Sequence, residues 1–279
     1  MKLCYLINGL GTGGAERSLA ELLPFYLDGG IQPTVVCLKS RDIGVEADVR
    51  GLGCPVRFLP GGGVLARVRA LRKLLRAERF DLLHTTLFDA DVVGRLAAMG
   101  TGIPVITSVV NTAYDDARLA DPNVGRLHLR AAQLIDGLTA RALTTHFHAI
   151  TQAVKDSTVA SLGVRAERIT VVFRGRSRAR LETPDAERRS AVRQHLGLDA
   201  DAEVILNVGR QEYQKGQQYL LQAVEPLLRS RPRLIVLIAG RAGHAATRLQ
   251  ERHAGSSAAD RVWFLGHRTD VPDLLAAAD

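Results

Sequence analysis

The chain has 279 residues, about two domains' worth, with 37 Lys+Arg against 29 Asp+Glu for a net charge of +8. With 46% hydrophobic and 24% charged residues it is neither disordered nor collagenous, and three scattered cysteines without a CxxC spacing exclude a disulfide scaffold or a zinc ribbon. Only five of the basic residues are Lys; the rest are Arg, whose guanidinium fork matches phosphate, although a GC-rich coding sequence gives the same bias. No apolar run approaches the ~20 residues of a membrane span. The apolar start breaks at Asn8-Gly9, so it reads as a buried strand rather than a signal peptide, and a cytoplasmic location is expected.

Leu3–Ile7, a glycine loop through Gly14 and an amphipathic stretch Ala15–Leu27 spell strand, loop, helix. Strands follow at Pro33–Leu38, Val56–Leu59, Leu82–His84, Val105–Val109, Phe147–Ile150 and Ile169–Phe173. Helices lie between them at Arg67–Arg79, Val92–Met99 and Arg126–Leu143. This alternation predicts an α/β fold with a parallel sheet covered on both faces. From Arg174 the chain becomes polar and Arg-rich (Arg174, Arg176, Arg178, Arg180), turns at Pro184-Asp185, and carries a polar helix to Leu196. The pattern restarts with strand Val204–Val208, helix Gln217–Arg229, strand Leu234–Ala239, helix Ala246–Arg252 and strand Val262–Leu265. A helix begins at Val271 or Asp273. Expected domains are 1–180, a connection over 181–202, and an incomplete second Rossmann-like domain over 203–279.

Two loops offer chemistry. Gly9-x-Gly11-x-x-Gly14 matches the dinucleotide fingerprint, with a helix N-terminus behind it to meet phosphate. The second strand ends in Leu38-Lys39-Ser40-Arg41, without the acidic residue that would hold an NAD ribose, so an NAD(P) oxidoreductase is the weaker alternative. In the second half, Asn207-Val208-Gly209-Arg210 ends a strand and Lys215-Gly216 opens a helix. Arg210 and Lys215 there can converge on one diphosphate at the carboxyl edge of the sheet. A solvated pair at an ordinary strand–helix turn is the plain alternative.

Several segments, in order, resemble family 4 glycosyltransferases of the GT-B class. They are Gly13-Gly14-Ala15-Glu16-Arg17, Asp81-Leu82-Leu83-His84, and Ile150-Thr151-Gln152-Ala153-Val154 leading to Gly163-Val164 and Glu167–Val172. Val208-Gly209-Arg210 with Lys215-Gly216, Val262-x-Phe264-Leu265-Gly266 and Val271–Asp279 complete the set. The resemblance implies a GT-B fold of two Rossmann-like domains and transfer of a sugar, with retention and without a metal or cofactor. The donor is a nucleotide-diphosphate sugar, and the acceptor hydroxyl sits on a carbohydrate or a lipid-linked molecule. By the same resemblance Gly209, Arg210, Lys215, Gly240, Gly243, Gly266 and His267 hold the donor, and Gly13 and Gly14 form the first glycine loop. Asn111 stands near the place of a family histidine and has at most a positional role. Arg174 and Arg176 replace a Pro-Asn-Gly segment; they meet an anionic acceptor or phosphate, or are merely solvated. The family's pair of glutamates seven residues apart falls beyond Asp279, so a truncated, non-catalytic remnant is the other alternative.

His146-x-His148 lacks a third ligand nearby and reads as structural. The basic face of Arg67–Arg79 is either solvated or laid against anionic lipid, a peripheral membrane contact. With 5% aromatics and no basic–aromatic platform, nucleic acid is not an expected partner.

Overall fold

The computed structural model describes residues 1–176, 185–255 and 258–279. They divide into two compact units, Met1–Asp115 with Arg126–Arg176, and Asp116–Gly125 with Ser177–Asp279. The expected boundary at 180, with Arg178 and Arg180, lies outside the described residues.

The first unit holds a seven-stranded sheet of β1 (Lys2–Ile7), β2 (Gln32–Cys37), β3 (Val56–Phe58), β4 (Leu82–Thr86), β5 (Val105–Val109), β6 (His146–Ala149) and β7 (Ile169–Val171). Its order is β3-β2-β1-β4-β5-β6-β7 and every pairing is parallel. The apolar run of β1 is explained by burial on both faces. Leu3, Tyr5 and Ile7 pack with Leu19 and Leu23 of α1 (Gly14–Asp28) and Val49 of α2 (Glu46–Gly51). Cys4 and Leu6 pack with Leu71 and Leu75 of α3 (Val64–Glu78) and Val93 and Ala97 of α4 (Phe88–Ala98). Each buried Leu, Ile or Val side chain contributes about 1.5–3 kcal/mol. Two further helices, α5 (Arg126–Leu143) and α6 (Gln152–Leu162), cover Phe147 and Ala149 through Ala140, Val154 and Leu162. All three cysteines are buried and free.

Helix α4 begins four residues before the predicted Val92 because its cap is not local. Asn8, 82 residues upstream, accepts from the Ala90 amide at 3.0 Å and donates to Asp89 at 3.2 Å. Helix α6 has no clear apolar stripe and is not predicted at all. Its ends carry it: Thr151 Oγ1 accepts from Val154 N, and Gly163 closes it at φ +65.

An ionic group lies inside this unit. Arg95, 1% exposed, donates to Asp136 Oδ1 at 2.5 Å and to Thr139 at 3.1 Å, while the Tyr114 hydroxyl donates to Asp136 Oδ2 at 2.7 Å. Asp91 is buried one helical turn before Arg95, and burial raises its carboxyl to about 7.

The second unit has a three-stranded parallel sheet, β10 (Val262–Gly266), β9 (Leu234–Ala239), β8 (Glu203–Val208), in that order. Helices α8 (Gln217–Ser230) and α9 (Ala246–Ala254) bury Leu221, Val224, Leu228 and Leu249 against Val236 and Ile238. The polar helix of the expected connection is α7 (Ala186–Leu196), and it packs within this unit on α10 (Val271–Ala277). Arg188 pairs with Asp273 at 2.7 Å, Arg189 donates to the Ala276 and Ala278 carbonyls, and Arg193 donates to that of Ala277. Those carbonyls end α10, where the helix itself supplies no donors.

Candidate functional site

In the second unit the carboxyl ends of all three strands meet through glycines. Gly209 N donates to Ala239 O at 2.9 Å and Gly240 N to Gly266 O at 2.7 Å, and Gln211 bridges to Ala242. A Cβ on Gly240 would lie 1.8 Å from the Gly209 carbonyl oxygen, and one on Gly243 would lie 2.6 Å from both Gln211 O and Glu212 Oε1. Any side chain at Gly240 would push the ends of β8 and β9 apart. Gly209, Gly240, Gly243 and Gly266 are thus brought to one edge, and His267 follows Gly266 as an exposed residue.

Arg210 and Lys215 rise from the single loop between β8 and α8. The Arg210 side chain is 47% exposed, and its Nη1 donates to Glu212 Oε1 at 3.3 Å. Lys215 ends the 3-10 turn Tyr213–Lys215, and its aliphatic stem lies beside Gly209. Its ammonium has no hydrogen-bonding partner among the described residues. Gly216, at φ +70, reverses the chain into α8. The loop therefore presents two cations beside a helix N-terminus, an arrangement suited to a diphosphate.

Three residues that sequence reasoning missed adjoin this loop. Asp121, Glu212 and His244 place ligand-type atoms within 4.8 Å of one another. His244 Nδ1 lies 3.4 Å from Asp121 Oδ2 and 3.8 Å from Glu212 Oε2. These residue types can bind a divalent cation, but the Arg210 guanidinium on Glu212 opposes one. A separation of 91 residues between Asp121 and Glu212 hides the group from any linear motif. Gln217, also missed, sits directly behind Lys215-Gly216 as a polar residue opening a helix.

The other expected residues lie in the first unit. A Cβ on Gly13 would meet Glu16 Oε2 at 2.4 Å, so the carboxylate folds over the start of α1, while Gly14 has only Arg174 Nη1 nearby, at 4.0 Å. Arg174 donates to Gly14 O at 3.3 Å, and burial lowers its pKa. Arg176 donates to Ser18 Oγ at 3.2 Å and lies 3.8 Å from Glu21, so it ties its segment to α1. Asn111 is exposed just past the end of β5.

The histidines of His146-x-His148 share one face of β6. His146 meets Thr170 Oγ1 at 2.8 Å; His148 bonds Ser108 Oγ at 2.9 Å and donates to Val172 O at 2.9 Å. Ser108 also bonds His84 Nε2 at 2.7 Å, and burial with the nearby His148 lowers His84 to about 3.

Residues 13–175 match the model of the glycosyl transferase 4-like domain, and residues 202–279 that of glycosyl transferases group 1. The chain is 24% identical over 258 residues to the UDP-Gal:alpha-D-GlcNAc-diphosphoundecaprenol alpha-1,3-galactosyltransferase of Escherichia coli, covering 91% of this chain and 60% of that one. It is 29% identical over 222 residues to the D-inositol 3-phosphate glycosyltransferase of Acidothermus cellulolyticus, covering 75% of this chain and 47% of that one. The crystal structure of Anabaena Alr3699/HepE in complex with UDP and glucose superposes with a TM-score of 0.80 at 25% identity, over all of this chain and 73% of that one. The chain thus spans 47–60% of the length of these two curated relatives.

Proposed function

Because the chain belongs to the GT-B glycosyltransferases, with a 4-like domain followed by a group 1 domain, we propose that it takes part in moving a sugar from a nucleotide-diphosphate sugar to an acceptor hydroxyl in glycoconjugate synthesis. The observation that carries this reading is the β8–α8 loop, which sets Arg210 and Lys215 at the glycine-bound edge of the second sheet. In the transfer the acceptor oxygen forms a bond to the anomeric carbon. The bond from that carbon to the diphosphate oxygen breaks, and the electron pair leaves with the nucleoside diphosphate. The acceptor proton passes to the departing phosphate oxygen, which gives retention when attack and departure share one face. Arg210 and Lys215 stabilise the charge that builds on the leaving group, the task a metal performs elsewhere. The nucleotide sugar is a substrate, and no separate cofactor is invoked.

The name of the Escherichia coli relative supports a lipid-linked acceptor, whereas that of the Acidothermus cellulolyticus relative gives a soluble one, and the first unit has surface suited to a peripheral membrane contact. Helix α5 exposes Leu127, Leu134, Ile135 and Leu138 beside Arg126 and Arg130, and α3 exposes Leu65 with Arg69, Lys73 and Arg76. No helix among the described residues is long and apolar enough to cross a membrane.

Calorimetric titration with UDP and GDP tests the donor site. A charge-assisted contact contributes about 1.5–3 kcal/mol, so Arg210→Ala and Lys215→Ala should each weaken nucleoside diphosphate binding about tenfold to a hundredfold. Unchanged affinity in the double variant would overturn the reading.

A further inference from the structure

Gln217 occupies the first position of α8, yet its side chain folds back beneath the loop and is 1% exposed. Its Nε2 lies 3.2 Å from Asn207 Oδ1, 3.3 Å from Gly209 O and 3.1 Å from Arg210 O. The amide orientation is fixed by its surroundings, since the opposite one would set an oxygen against three acceptors. Two protons serve three oxygens, so at least one is shared. The Gln217 Oε1 is buried and has no partner among the described residues. A glutamine that merely filled space would gain nothing from an orphaned oxygen; this one is explained by its donors.

Those donors hold the carbonyls on both sides of the Arg210 Cα. A peptide unit is rigid, so fixing the Gly209 and Arg210 carbonyls fixes the two planes between which Arg210 is mounted. The outer edge of the same segment is held by Gly209 N to Ala239 O at 2.9 Å and Gln211 N to Arg241 O at 3.1 Å. The loop is clamped from inside by one side chain and from outside by β9 and the residues following it. Gln217 is not needed to cap α8, whose N-cap is Gly216.

Building on the donor-loop reading above, we infer that Gln217 is a positioning residue: it holds the Arg210 backbone so that the guanidinium is presented to the diphosphate of the nucleotide sugar. It touches neither donor nor acceptor and acts through Arg210.

The test uses this 279-residue chain and titrates UDP and uridine in parallel. Gln217→Met keeps the length and removes the donors. It is expected to weaken UDP at least tenfold, leave uridine unchanged, and have no further effect in an Arg210→Ala background, because the two act as one unit. Without nucleotide, hydrogen exchange at the Arg210–Glu212 amides should quicken in Gln217→Met. It should stay slow in Gln217→Lys, which keeps donors for the same oxygens. Equal losses of UDP and uridine, losses that multiply with those of Arg210→Ala, or unchanged exchange in Gln217→Met would each overturn the inference. If Arg210→Ala itself leaves UDP binding unchanged, the donor-loop reading fails and this role falls with it. If Arg210→Ala weakens UDP and Gln217→Met does not, the Gln217 role alone fails. Should Gln217→Met not fold, retained UDP binding and slow exchange in Gln217→Lys support the role, and their loss refutes it.

Discussion

The first unit buries two titratable groups whose pH effects oppose each other. Burial carries Asp91 from 3.8 to about 7, against the pull of Arg95, and takes His84 from 6.5 to about 3, helped by His148. The raised Asp91 value means that the folded chain holds a proton the unfolded chain has released; this stability is complete below pH 3.8 and is lost as pH rises through 7. The lowered His84 value has the opposite sign: stability is complete above pH 6.5 and is lost as pH falls towards 3. Between pH 4 and 6.5 each group contributes a slope of about 1.4 kcal/mol per pH unit, and the two cancel. Asp91→Asn removes one slope. Its unfolding free energy, relative to the wild-type chain, should fall by about 3 kcal/mol between pH 6.5 and 4. His84→Gln should show the mirror image, gaining relative stability as the pH drops over the same range. Urea unfolding followed by far-ultraviolet circular dichroism measures both difference curves, in which every other titrating group cancels. An Asp91→Asn curve parallel to that of the wild-type chain would refute the reasoning, since it would mean that the Asp91 carboxyl ionises as it does in water.

Asp136→Asn removes the negative charge that faces the Arg95 guanidinium at 2.5 Å and replaces one carboxylate oxygen, weakening the acceptor for Tyr114. Unpairing a buried charge costs about 3–5 kcal/mol, read as a fall in the Tm of the first unit, and an unchanged Tm would show that Asp91 takes over the pairing. Gly240→Ala sets a methyl group 1.8 Å from the Gly209 carbonyl. Overpacking of this kind costs about 1–3 kcal/mol, and UDP affinity should fall with it; calorimetry and thermal unfolding of the same sample check both.

Alternation of apolar runs with helices made the two sheets legible, because strands buried on both faces are apolar throughout and need no partner to be recognised. Asn207 through Gly216 was legible as well, since a strand end, a glycine and two spaced cations are close in sequence. What stayed hidden depends on distant pairs. The start of α4 is set by Asn8, and the Arg95–Asp136 pair spans 41 residues. Gln217 is hidden in the sequence for another reason. A glutamine at a helix start reads as a surface residue, and only the turn at Gly216 sends its side chain inward.

The arginine excess also has a physical explanation other than a taste for phosphate. Arg72 donates to Leu96 O and Ala97 O at the end of α4, Arg141 to Leu162 O at the end of α6, and Arg168 to Arg141 O in the last turn of α5. Arg189 and Arg193 do the same for α10, and Arg261 donates to Arg231 O just past α8. Helix C-termini have orphan carbonyls and a negative partial charge, and a planar fork with five donors satisfies both at once. A protein that closes its helices this way accumulates positive charge whatever it binds. Net charge therefore says little about a ligand, and the informative cations are those not spent on carbonyls. Arg210, whose guanidinium meets only the Glu212 carboxylate among the described residues, is one of them, and its own carbonyl is among the groups that Gln217 holds.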